Sequence, residues 1–197
     1  VRIRGVAAAA AAMVALLAGC SSGSDHHPEA APASTTTVPS TTTAAPKTTV
    51  TVPTDDGEPA DPSEYRQEEG ALGKPGYFFR TPSGNFSCAV FDKPVRFGEV
   101  SVTVGCQGTA AAVPTGSKTC LDAEGVPAFG LTATGAEFTC AAGDLFAGRT
   151  DAGVLEYGTH VQVGNQICAS HRVGITCRQL DSGASFFVSK EAGILKN

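Results

Sequence analysis

Six cysteines, Cys88, Cys106, Cys120, Cys140, Cys168 and Cys177, fall in a part of the chain whose apolar residues recur every second position rather than every third or fourth. That combination is restrictive. A strand that slips its register by one residue turns every cysteine to the wrong face, so bridges and alternation must agree. The set is even and contains no C-x-x-C pair, which points to three disulfides rather than a zinc ribbon or a dithiol redox site.

The alternation suggests which bridges form. In "NFSCAVF", Phe86, Cys88 and Val90 share one face of an extended strand, and in "EVSVTVGC" Val100, Val102, Val104 and Cys106 do the same. Between them, "DKPVRFG" has the chemistry of a turn, so Cys88 is expected to meet Cys106. "FGLTATGAEFTC" reads as strand, Thr-Gly turn and strand, with Phe138 and Cys140 in phase and Cys120 a short segment upstream. "HVQVGNQICASHRVGITC" reads as two strands around a turn near Ser170 to Arg172, with Val173, Ile175 and Cys177 in phase. Cys168 is out of phase with Ile167, which predicts either a bulge or the opposite phase for this strand. Sequential pairing is expected: Cys88–Cys106, Cys120–Cys140 and Cys168–Cys177.

No long amphipathic helix is evident. Single helical turns are predicted at "GDLFAG" and in "KEAGILKN" after Ser189 as N-cap. The expected class is mostly β: a small, disulfide-stabilised antiparallel sandwich or barrel-like domain with little helix, over residues 76–197.

What precedes this domain is of a different kind. Arg2 and Arg4 lead into "VAAAAAAMVALLAG", a run of 14 residues, too short to cross about 30 Å of hydrocarbon as a helix. Residues 1–19 therefore read as an export signal. Leu17, Ala18 and Gly19 before Cys20 resemble the lipobox of bacterial lipoproteins. That resemblance implies cleavage before Cys20, a diacylglyceryl thioether on its sulfur, and anchoring on the outer side of the cell membrane through acyl chains.

Residues 20–75 are Thr/Pro/Ala-rich and then acidic, and read as a disordered tether. Most of the excess acid behind the net charge of −5 sits in "DDGEPADPSEYRQEEG", and no basic stripe is present, so a nucleic-acid partner is not expected. His26 and His27 make a poor metal site, and neither a metal nor a cofactor is expected.

The strings "FFRTPSGNFSC", "LEYGTHVQVGNQICASHRVGITC" and "SGASFFVSKEAGIL" are similar to an uncharacterised actinobacterial domain family. Its members carry "SPSGN" before a cysteine, an "L-x-YG" turn and a late "GxxCxS…GxTC" pair. The resemblance implies one six-cysteine domain delivered by a lipid anchor, and it carries no assigned activity. Ser185 stands where that family has glycine, and Lys190 where it has arginine.

Candidate chemistry is sparse. "TPSGN" has what a tight turn requires: Pro82 to fix φ, then Gly84 and Asn85. Ser170 with His160 or His171 and Asp144 or Asp151 contains the residue types of a hydrolytic relay. No G-x-S-x-G elbow accompanies them, and an envelope hydrolase is the remote alternative. "DSGASFF" faintly resembles the SGxxY loop of membrane-bound C-type lysozyme inhibitors, which makes Ser182 and Lys190 candidate contact residues. The principal expectation is a non-enzymatic binding module for an envelope protein or glycan.

Overall fold

The computed structural model describes residues 50–97, 99–120 and 125–197. Leu17, Ala18, Gly19 and Cys20, with most of the Thr/Pro-rich run, lie outside the described residues. Thirteen strands follow in order: β1 (Glu58–Pro59), β2 (Arg66–Gln67), β3 (Gly76–Arg80), β4 (Ser87–Phe97), β5 (Val100–Gln107), β6 (Val126–Thr132), β7 (Ala136–Ala141), β8 (Gly153–Val154), β9 (Thr159–Val163), β10 (Gln166–His171), β11 (Gly174–Gln179), β12 (Ser185–Val188) and β13 (Gly193–Lys196). They form two sheets of mostly antiparallel strands, β2 to β7 with β8 beside β3, and β1 with β9 to β13. Two short 3-10 turns are the only helical segments among the described residues.

The sheets are built on one plan used twice. In the first, Phe79, Cys88, Cys106, Phe129 and Phe138 lie opposite one another across β3 to β7. In the second, Val161, Cys168, Cys177, Phe186 and Leu195 form the matching row across β9 to β13. Each row bridges its second and third strands by a disulfide and carries phenylalanine on its fourth. The rows face each other in one core, with the rings of Phe129 and Phe186 5.9 Å apart and the sulfurs of Cys106 and Cys177 in contact at 3.8 Å. The sequence carries the trace of this duplication, because Gly-Asn-x-x-Cys-Ala occurs at Gly84 to Ala89 and again at Gly164 to Ala169. The third disulfide, Cys120–Cys140, lies outside both rows and ties the β5–β6 connection to β7.

The leading segments are exchanged. β1, which precedes the first meander, pairs in parallel with β9 of the second, while β8, which precedes the second, pairs in parallel with β3 of the first. Each leading segment also approaches the outer face of the other meander's sheet, and the residue after the second cysteine of each row receives it. Gln107 accepts hydrogen bonds from the backbone N–H groups of Leu145 (2.6 Å) and Phe146 (3.0 Å), and its amide donates to Gly143 O (3.3 Å) and Asp144 Oδ1 (3.2 Å). These four bonds seat Phe146 on Gly105, where an added Cβ would meet the ring at 2.1 Å. Arg178, at the equivalent position, makes a bidentate ion pair with Asp56, and His160 Nδ1 lies 3.2 Å from Gly57 O.

Gln107→Ala takes four bonds away, two of them from the backbone N–H groups of partly buried Leu145 and buried Phe146. Each buried donor left without a partner costs about 1–3 kcal/mol, so a loss at the low end of about 2–4 kcal/mol is expected in urea denaturation. Hydrogen exchange at Leu145 and Phe146 should accelerate while Phe129 stays protected.

Several expectations are corrected. The folded unit begins before residue 76: Asp61 Oδ1 accepts from Ser63 N–H to start the first 3-10 turn, and Tyr65 that follows is buried against Phe79. "DKPVRF" is the second half of β4, with a register shift between Val90 and Val95 that leaves Asp92 to Pro94 exposed. Val100 and Val102 do not share the face of Val104 and Cys106. A bulge around Thr103 sets two residues of β5 against one of β6, so Val102 packs with Phe78 and Phe146 in a second cluster on the outer face.

The last cysteine stretch forms three strands, not two. Gly164, at φ 55°, makes a two-residue hairpin turn with Asn165, and a second turn falls at Arg172–Val173. β10 has no bulge: Cys168 faces inward, and Ile167 is buried on the opposite, outer face. Val173 sits exposed in the turn rather than in phase with Ile175. "GDLFAG" is the loop held by Gln107, and the residues after Ser189 form a turn and β13, not a helix.

Candidate functional site

At one end of the sandwich, turns from both meanders surround a cleft of about 380 Å³. Its first wall is the β3–β4 turn. Gly84 N–H donates to Thr81 O at 2.8 Å with Gly84 at φ 70°, and Thr81 N–H donates to Phe86 O at 3.0 Å. Thr81 Oγ1 accepts from Phe86 N–H and Ser83 Oγ from Asn85 N–H, both at 3.3 Å. The two hydroxyls therefore hold the turn, as expected of "TPSGN", while the Asn85 side chain lines the cleft without a hydrogen-bond partner among the described residues.

The second wall is the two-residue turn between β10 and β11. Its Arg172 guanidinium lies 5.5 Å from the centre of the Tyr157 ring, a cation–π arrangement that restrains a long side chain. Tyr157 is positioned by Gly158, whose N–H donates to Ser170 O at 2.8 Å with φ 80°.

The third wall is the turn between β12 and β13. Buried Ser189 accepts from the N–H groups of Glu191 (3.0 Å) and Ala192 (2.9 Å), and its own N–H donates to Ala192 O (2.8 Å). This leaves Lys190 exposed at the tip, with Glu191 beside it.

The electrostatics follow from what is missing a partner. Arg66, Arg149 and Arg178 are in ion pairs, whereas Arg172 and Lys190 have none among the described residues. Among the residues that line the cleft they stand against one carboxylate, Glu191, and Asp55 and Asp56 lie near enough to act on His171. His171 also lines it, with Nε2 buried and unpartnered. Burial holds its imidazole below the ordinary value of 6.5, opposed by the carboxylates of Asp55 and Asp56.

This depressed value has a defined sign. The unfolded chain takes up a proton near pH 6.5 while the folded chain does not, so stability should fall as pH drops through that point and level off below the folded value. His171→Gln should flatten this acid slope in urea midpoints measured from pH 7.5 to 5.

The residues of a hydrolytic relay are not brought together. Ser170 and His171 are adjacent on β10 and so point to opposite faces, Ser170 fully buried. His160 stands opposite Ala169 and is engaged with Gly57 O, Asp144 is held by Gln107 on the other sheet, and Asp151 lies in the turn closed by Ala152 N–H to Arg149 O. Among the described residues no group of three His, Cys, Asp or Glu is placed to hold a metal ion.

Ser182 and Lys190 flank β12 at its two ends, about 13 Å of strand apart. Ser182 is occupied within its own turn, donating to Gln179 Oε1 at 3.0 Å and accepting from Ala184 N–H at 3.1 Å. Lys190 belongs to the cleft and Ser182 does not. Sequence reasoning places Arg172 in a turn but does not name it among the contact residues. The signal that could have marked it is an arginine at a hairpin tip, outside the alternation that fills the core.

Comparison with protein-family models, with curated proteins and with solved structures finds no match to this chain.

Proposed function

We propose that the protein is a lipid-anchored, non-enzymatic binding module of the bacterial cell envelope, and that it engages its partner through the cleft at the turn end. The observation that carries this is the convergence of Arg172 and Lys190, two cations in no ion pair among the described residues, on a concave surface assembled from both meanders. Interfaces between structural units are where small-molecule and partner sites concentrate. The lipobox at Leu17 to Cys20 supports the anchor, and three disulfides suit a compartment outside the cytosol. The Thr/Pro-rich segment supplies the reach between membrane and domain.

Two exposed apolar residues allow a controlled test. Val173 lies at the cleft end of β11 and Leu180 just past its other end. A photocrosslinking amino acid at 173 should capture a reproducible envelope component in living cells, and the same group at 180 should not. Equal capture at both positions, or capture at 180 alone, removes the cleft from the proposal. Cys20→Ser should release the protein from the membrane fraction and abolish incorporation of a labelled fatty acid. Retention of either property removes the anchor.

A further inference from the structure

We infer that the cleft takes a short acidic saccharide, gripping its carboxylate or phosphate between Arg172 and Lys190. This rests on the reading of the cleft as the contact site.

The anionic part follows from the cations. A guanidinium restrained on the Tyr157 ring and in no ion pair among the described residues is a planar fork ready to donate to two parallel oxygens. Lys190 adds an exposed ammonium from another turn, with the carboxylate of Glu191 beside it. Asp55 and Asp56 act on His171, and Asp56 is taken up by Arg178, so that Arg172 stays outside any ion pair among the described residues. His171 contributes no standing charge at neutral pH, because burial disfavours its protonated form.

The saccharide part follows from the rest of the surface. At about 380 Å³ the cleft is larger than a bare anion needs, and it lies at the small end of the range of small-molecule sites, roughly 300–1,000 Å³. The unpartnered Asn85 amide offers both a donor and an acceptor to hydroxyl groups, and exposed Val173 offers apolar surface to the C–H face of a ring. An extended peptide is less well served. Its recognition by strand addition needs a free strand edge, whereas this cleft is bounded by hairpin tips whose backbone groups are largely engaged within their own turns.

The test is an amide NMR titration of the full chain with four probes: an oligogalacturonate, a hexose phosphate, the neutral hexose and inorganic phosphate. At least one of the acidic saccharides should shift the amides of Asn85, Arg172 and Glu191 saturably. The neutral hexose and inorganic phosphate should bind at least tenfold more weakly. Which acidic saccharide binds tighter separates a carboxylate from a phosphate site. The pair Arg172→Gln and Lys190→Gln should weaken binding at least tenfold with the remaining spectrum unchanged, and Lys93→Gln, distant on β4, should leave it as it was.

Equal binding of the neutral hexose, equal binding of inorganic phosphate, shifts confined to other surfaces, or no saturable shift at millimolar concentration each overturns the inference. If the saccharides fail while residue 173 still captures a partner in cells, the ligand class falls and the binding-module reading stands. If residue 173 captures nothing but an acidic saccharide binds at the cleft, the ligand class holds and the cellular role is what fails.

Discussion

Phe129→Ala and Phe186→Ala are each expected to lower the free energy of unfolding by about 3–5 kcal/mol, the cost of removing a fully buried ring from a core that cannot collapse around the gap. A domain of this size has about 5–15 kcal/mol in total, so either variant should sit close to its unfolding transition. The two rings occupy equivalent places in the two rows and touch each other, which makes their contributions interdependent. In the double variant the second truncation removes a ring that has already lost its neighbour. The total cost of the double variant should therefore fall short of the sum of the single changes by about 0.5–3 kcal/mol. Urea denaturation of the four members of the cycle reads this directly. Strict additivity would mean that the two meanders are stabilised independently.

The second large effect concerns the disulfides, where two physical accounts predict opposite orders. Loop-closure entropy alone favours the longer loop. On that basis Cys120–Cys140, with a separation of 20 residues, should be worth more than Cys168–Cys177, with a separation of 9. Packing favours the other. Both sulfurs of Cys168–Cys177 belong to fully buried residues and the bridge touches Cys106, whereas Cys140 is only partly buried. Replacing Cys168 and Cys177 by alanine is expected to cost about 4–5 kcal/mol, an entropic share of about 2.5 kcal/mol plus the loss of close-packed core. Replacing Cys120 and Cys140 should cost no more than about 3 kcal/mol. Thermal midpoints of the two double variants decide between these accounts, and the reverse order would assign the bridges' value to the unfolded chain.

The parts of the fold that were legible in the sequence are those where alternation runs unbroken. Phe86, Cys88 and Val90 keep one face because β4 is regular there, and Cys106 follows Val104 inward for the same reason. The alternation misled at Val102, because a bulge changes faces without changing the spacing of apolar residues. It also misled at Ile167, since a sheet covered on both sides buries both phases. Tyr65 was hidden by its acidic surroundings, although Asp61-Pro62 before it is a start signal for a helical turn.

The repeated Gly-Asn-x-x-Cys-Ala was readable in principle and gives the duplication outright. The cleft was legible only in pieces. "TPSGN", Tyr157, His171 and Lys190 each announce a turn or a polar side chain. Their convergence depends on which strand ends coincide in space, and that is set by how the two sheets stack rather than by anything local.

The reciprocal seating of β1 on β9 and of β8 on β3 makes each half of the molecule a host for the other's leader. Cut within residues 142–152, neither fragment retains what it needs: each loses the segment that pairs with the first strand of its meander, and both lose the opposing face of a shared interior. Apart, each piece is left with bare backbone edges and bare hydrocarbon. Mixed, they restore every seam, so co-expressed fragments should recover the intact fold that neither reaches alone.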